Sequence, residues 1–90
     1  MPQTITIKKT VKATVTGVSG SIDLQNTNPA YVRVFSDRSV HVRIGAEATT
    51  DEGMPLNAAH PEFLDIPSGK TINFILAAGE TDGNIWVTVV

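Results

Sequence analysis

The chain contains no cysteine, so disulfides, thiolate nucleophiles and cysteine-ligated zinc are excluded by inventory. Aromatic residues are sparse, with one Trp, one Tyr and three Phe. A core would draw on most of them, which leaves little for an exposed binding platform. Neither sign of charge dominates: seven Lys plus Arg stand against nine Asp plus Glu, a formal net charge of -2. Such a balance creates no field to collect a phosphate backbone, and no nucleic-acid partner is expected. No apolar run approaches the roughly 20 residues that cross a bilayer, so no membrane partner is expected either. The opening MPQTITIKKT has no apolar stretch behind a basic segment, and it does not read as a secretory signal. Synthesis in the cytosol is the expectation.

What remains is a short chain that must fold with few resources. Ninety residues fit one domain, 1–90, whose stability rests on packing or on assembly with other chains. The recurring hydrophobic period is two. Ile5 and Ile7 alternate with threonines, and Val11, Ala13 and Val15 alternate with Lys12, Thr14 and Thr16, the pattern of half-buried strands. Ile22 and Leu24 share one side of the segment 21–27, which closes at Asn26, Asn28 and Pro29.

Residues 30–45, AYVRVFSDRSVHVRIG, give the clearest alternation. Val32 and Val34, then Val40, Val42 and Ile44, are separated by Ser36-Asp37-Arg38-Ser39. A β-hairpin is the natural expectation, and parity requires an odd loop or a bulge to keep both valine sets on one face. Between Ala46 and Pro61 the period vanishes and turn residues dominate, which predicts a long irregular connection with room for one helical turn. Strand pattern resumes at Phe63–Ile66 and at Thr71–Ala78, with Ile72, Phe74 and Leu76 on one side. It ends with Asn84–Val90, where Ile85, Val87 and Val89 oppose Trp86, Thr88 and Val90. About eight short strands without a helix predict an all-β fold, a small antiparallel sandwich of jelly-roll or Greek-key type. A small closed barrel is the alternative.

No catalytic, metal or cofactor constellation emerges. His41 and His60 could join Asp51, Glu52, Glu62 or Asp65 around a metal, but their spacing matches no ligand motif. Asp82-Gly83-Asn84, preceded by Glu80, lacks the ligand spacing and closing Glu of a calcium loop, and a turn explains it. The serines at Gly20-Ser21 and Pro67-Ser68-Gly69 lack the setting of a nucleophile elbow. No enzyme activity, metal or cofactor is therefore expected. Two surface features stand out. Arg33, His41 and Arg43 form an outward stripe that would meet an acidic partner or keep a sheet face soluble. Ile75 and Trp86 sit opposite their apolar neighbours, and together they are the candidate interface of a homo-oligomer.

Several turns and strand starts in the last two thirds of the chain carry a likeness. Ile44-Gly45 is followed by Met54-Pro55-Leu56, Pro61-Glu62-Phe63, Pro67-Ser68-Gly69 and Trp86-Val87-Thr88. In this order they resemble small virion proteins of tailed bacteriophages, including β-fold proteins that decorate and cement capsids. The resemblance covers about residues 30–90 and implies a non-enzymatic structural protein of the virion, made in the host cytoplasm. Its partners would be the major capsid protein or another virion protein and further copies of itself, a trimer being favoured. The competing expectations are a ligand- or glycan-binding β module and a head–tail or tail accessory protein.

Overall fold

The computed structural model describes residues 9–49 and 51–90. The Ile5–Ile7 alternation lies outside the described residues. Eight strands follow in chain order: β1 (Lys9–Val15), β2 (Gly20–Asp23), β3 (Ala30–Ser36), β4 (Val40–Ile44), β5 (Met54–Leu56), β6 (Glu62–Ile66), β7 (Thr71–Leu76) and β8 (Gly83–Val89). There is no helix among the described residues. Four strands make sheet I in the order β1-β8-β3-β6, and four make sheet II in the order β2-β7-β4-β5. Every pairing is antiparallel. Among the described residues the two sheets form a sandwich whose edge strands are β1 and β6, and β2 and β5, and it is not a closed barrel.

The pairings β1·β8, β2·β7, β3·β6 and β4·β5 are those of one long antiparallel hairpin, β1 to β4 against β5 to β8. Rolling that hairpin brings β8 beside β3 and β7 beside β4, which is a jelly roll. A consequence is that every connection except β4 to β5 passes from one sheet to the other. Neighbours in sequence therefore face each other across the core instead of pairing.

This corrects the hairpin expected over 30–45. β3 pairs with β8 and β6, while β4 pairs with β7 and β5. The polar tetrad Ser36–Ser39 spans the gap between sheets, so no odd loop or bulge is needed to reconcile the valines. Val32 and Val34 enter the core from sheet I, and Val40 and Val42 enter it from sheet II. The irregular connection expected over 46–61, with room for a helical turn, holds no helix among the described residues and contains the short edge strand β5 instead. Leu56, opposite Val40, is its buried anchor. Pro55 is tolerated there because an edge strand leaves one side of its backbone unpaired.

The core follows the period-two pattern closely. Val15, Ile22, Val32, Val34, Ile66, Ile72, Ile85 and Val87 are buried, and Phe74 is the one aromatic residue among them. The turns that reverse the chain carry the chemistry their geometry demands. Lys70 N–H donates to the Pro67 carbonyl with Gly69 at φ 72°, and Glu80 N–H donates to the Ala77 carbonyl with Gly79 at φ 84°. Positive φ at the third turn position is nearly free for glycine and strained for other residues.

Candidate functional site

Outward positions on sheet I fall in rows set by the strand register. One row runs Lys12, Trp86, Phe35 across β1, β8 and β3. The next runs Thr10, Thr88, Arg33, Phe63 and reaches β6. A third places Tyr31 opposite Asp65. Four of the five aromatic residues of the chain thus share one outer face, leaving only Phe74 inside. Tyr31 and Phe63 are exposed, at 48% and 43%. Phe35 and Trp86 are half-buried.

The rings are ordered by contacts with each other and with two cations. Tyr31 and Phe63 stack at 5.6 Å with an interplanar angle of 18°, and Phe35 and Trp86 meet at 5.6 Å in a tilted pair. The Lys12 ammonium lies 5.7 Å from the Trp86 ring centre, and the Arg33 guanidinium lies 5.8 Å from that of Phe35. Cations are attracted to the negative faces of aromatic rings at such distances. The single ion pair among the described residues is Arg43–Glu52, at 2.6 Å. Lys12 and Arg33 therefore have no carboxylate partner there. At the far end of the face Tyr31 also borders an open recess of about 410 Å³, lined in addition by Asn26, Pro29 and Val90.

The structure separates residues that alternation alone groups together. Ile75 lies on the outer face of sheet II, opposite His41 in register, whereas Trp86 lies on sheet I. They are on opposite sides of the sandwich and cannot form one surface. The Arg33, His41, Arg43 stripe divides in the same way, with Arg33 on sheet I and the other two on sheet II. Arg43 is engaged within the fold: its Nη1 donates to Glu52 Oε2 and to the Glu47 carbonyl at 3.4 Å, which ties the β4–β5 loop to its own strand. His41 Nδ1 sits 3.5 Å from the Gly53 carbonyl.

Among the described residues no three His, Asp or Glu side chains converge as a metal-binding group. The Asp82-Gly83-Asn84 turn has a packing explanation. Asn84 N–H donates to Asp37 Oδ1 at 2.8 Å, and the Asn84 carbonyl accepts from Asp37 N–H and from the buried Ser36 hydroxyl, each at 3.2 Å. A Cβ on Gly83 would collide with Asp37 and Arg38. This clasp fixes the end of β3 against the start of β8.

Tyr31, Phe35 and Phe63 do not stand out in the sequence. The signal is present all the same: Tyr31 and Phe35 share the parity of Arg33 and oppose Val32 and Val34, and Phe63 opposes Leu64 and precedes Ile66 by an odd step. Parity gives them an outer face, but only the register shows that it is the same face. No family model, curated protein or solved structure matches this chain.

Proposed function

We propose that this chain is a non-enzymatic structural protein of a phage virion, of the capsid-decorating type, which docks through the outer face of sheet I. The observation that carries this reading is the aromatic and cationic surface formed by Tyr31, Arg33, Phe35, Phe63 and Trp86 with Lys12. Trp, Tyr and Arg dominate the energetics of protein interfaces, because they bring large contact area and directional polar groups together. A shell offers the same docking position many times, so a modest face gains from avidity. The resemblance over residues 30–90 supports the virion setting, and the jelly roll adds only a fold-level analogy to viral capsid and lectin domains.

The assembly expected with this role is a homo-oligomer, a trimer being favoured, with Trp86 in or beside the contact. Ile75 has no part in that proposal, because it occupies the opposite face. Mass spectrometry of purified virions tests the role. A copy number matching the capsid subunits supports decoration, a small fixed number moves the protein to the neck or tail, and absence overturns the reading. Light scattering over a dilution series, on wild type and Trp86→Ala, tests the assembly.

A second reading has its own support. Exposed rings on a flat sheet, beside the hydroxyls of Thr10 and Thr88 and the Asp65 carboxylate, suit the apolar faces and hydroxyl edges of sugars. In that case the chain is a glycan-binding module.

A further inference from the structure

Resting on the glycan reading, we propose that the outer face of sheet I binds an acidic polysaccharide, a chain of pyranose rings that carry carboxylates. The charge pattern of the face selects this chemistry. Lys12 and Arg33 stand beside ring faces without a carboxylate partner among the described residues, in a chain whose formal net charge is -2. Unpaired cations held next to aromatic rings receive a carboxylate and a C–H-rich sugar face side by side. A neutral glycan would use the rings and leave both cations idle.

Asp65 shares the face, opposite Tyr31 in register. Its charge opposes a phosphate and a sugar carboxylate alike, but it accepts hydrogen bonds from sugar hydroxyls, which a DNA backbone does not offer. An acidic glycan therefore sets hydroxyls at Asp65 and its carboxylates at Lys12 and Arg33. The dimensions also fit. Tyr31 and Phe35 are four residues apart on β3, a span of about 13 Å at strand rise. Arg33 lies between them. The platform therefore offers an aromatic pair at each end and a cation in the middle, enough for a short run of rings from an extended polymer.

Trp86 is the sole tryptophan, so its emission reports from within the face. The test is a titration of the full chain with polygalacturonate at low salt, with methyl-esterified polygalacturonate as the uncharged counterpart of the same backbone and oligo(dT) as the phosphate polymer. The expected result is a saturable change of Trp86 emission with polygalacturonate alone, weakening as salt rises. Arg33→Gln and Lys12→Gln should each weaken it by about tenfold, the scale of one lost hydrogen bond to a charged group. Arg43→Gln, on the other sheet, should leave it unchanged. Equal response to the esterified chain overturns the acidic assignment while the glycan reading stands. No response to either polysaccharide overturns both, and a stronger response to oligo(dT) replaces them with nucleic-acid binding.

Discussion

Phe74 packs against Gly20, and the contact is close enough to set the size of a mutational effect. These residues are directly opposite in the β2·β7 register, and both face the core. A Cβ built on Gly20 would lie 2.8 Å from Cε2 and 3.3 Å from Cζ of Phe74, but 3.6 Å from Cδ2. The backbone of Gly20 does not have positive φ, so Gly20→Ala is penalised by the ring and not by the main chain. Overpacking of this kind costs about 1–3 kcal/mol, offset by about 0.4–1 kcal/mol from the stiffer unfolded chain. A net loss of about 1–2 kcal/mol is expected. Phe74→Leu shortens the side chain to roughly the Cδ level, where the contact with a new Cβ becomes ordinary. Alone it costs on the order of 1–2 kcal/mol, a fraction of a full truncation. In the double variant the clash is gone and the added methyl fills part of the vacated space. It should be more stable than the sum of the single changes by about 1–2 kcal/mol. Against a total stability of about 5–13 kcal/mol for a chain of this size, such differences are measurable as shifts of the urea midpoint. Far-UV circular dichroism and Trp86 emission should report the same transition. Additivity within about 0.5 kcal/mol would mean that the ring does not rest on Gly20, and the register of sheet II would have to be redrawn.

Ser36→Ala should cost about 1–3 kcal/mol in the same assay, because the Asn84 carbonyl loses its hydroxyl donor and Arg38 N–H loses its acceptor at a buried site. A loss below about 0.5 kcal/mol would mean that this clasp does not hold β3 to β8. Glu52→Gln should change stability by less than about 1 kcal/mol, since both partners of the Arg43 ion pair are largely exposed, at 40% and 64%. EDTA should leave the melting temperature unchanged, and a clear drop would return His41, His60 or the Asp82 turn to consideration as a metal site. Phe63→Ala, at an exposed ring on an edge strand, should lower stability by no more than about 1.5 kcal/mol, the scale of one aromatic pair. If it instead unfolds the domain, the outer face is part of the core and not a docking surface.

Strand alternation is enough to make the core legible. Ile72, Phe74 and Leu76, and Ile85 and Val87, are buried where period two puts them. Alternation does not say which sheet each strand joins, because inward parity is the same for a hairpin and for a crossing between sheets. Val34 and Val40 both point inward in either arrangement, and only the pairing of β3 with β8 separates them. The same ambiguity joins Ile75 to Trp86 and Arg33 to His41. β5 is illegible for a different reason: three residues with a central proline carry no period, and its place depends on the long-range pairing of Leu56 with Val40. The aromatic face is half legible. Composition suggests that the core claims most of the rings, yet aliphatic β-branched residues fill it and Phe74 suffices.

The aromatic face has a competing explanation in stability alone. Tyr, Phe and Trp favour strands, and the two ring pairs contribute about 0.5–1.5 kcal/mol each beyond their burial. That account would suit rings spread over both sheets. Here the outer face of sheet II presents Ser21, Asp23, His41, Arg43 and Ile75, with Asn73 buried beneath its surroundings. It carries no Phe, Tyr or Trp among the described residues, and its Arg43 is paired with Glu52. Sheet I differs in both respects. Its two central strands, β8 and β3, carry Trp86, Tyr31, Arg33 and Phe35, where hydrogen bonding on both sides fixes the backbone beneath them. The cation–ring contacts of Lys12 and Arg33 add to that stability, but a ring pair does not require them, and neither cation has a carboxylate partner among the described residues. Asymmetry between the two faces, with rigid aromatic positions and cations lacking a carboxylate partner on one of them, is the observation behind the proposal that this face docks.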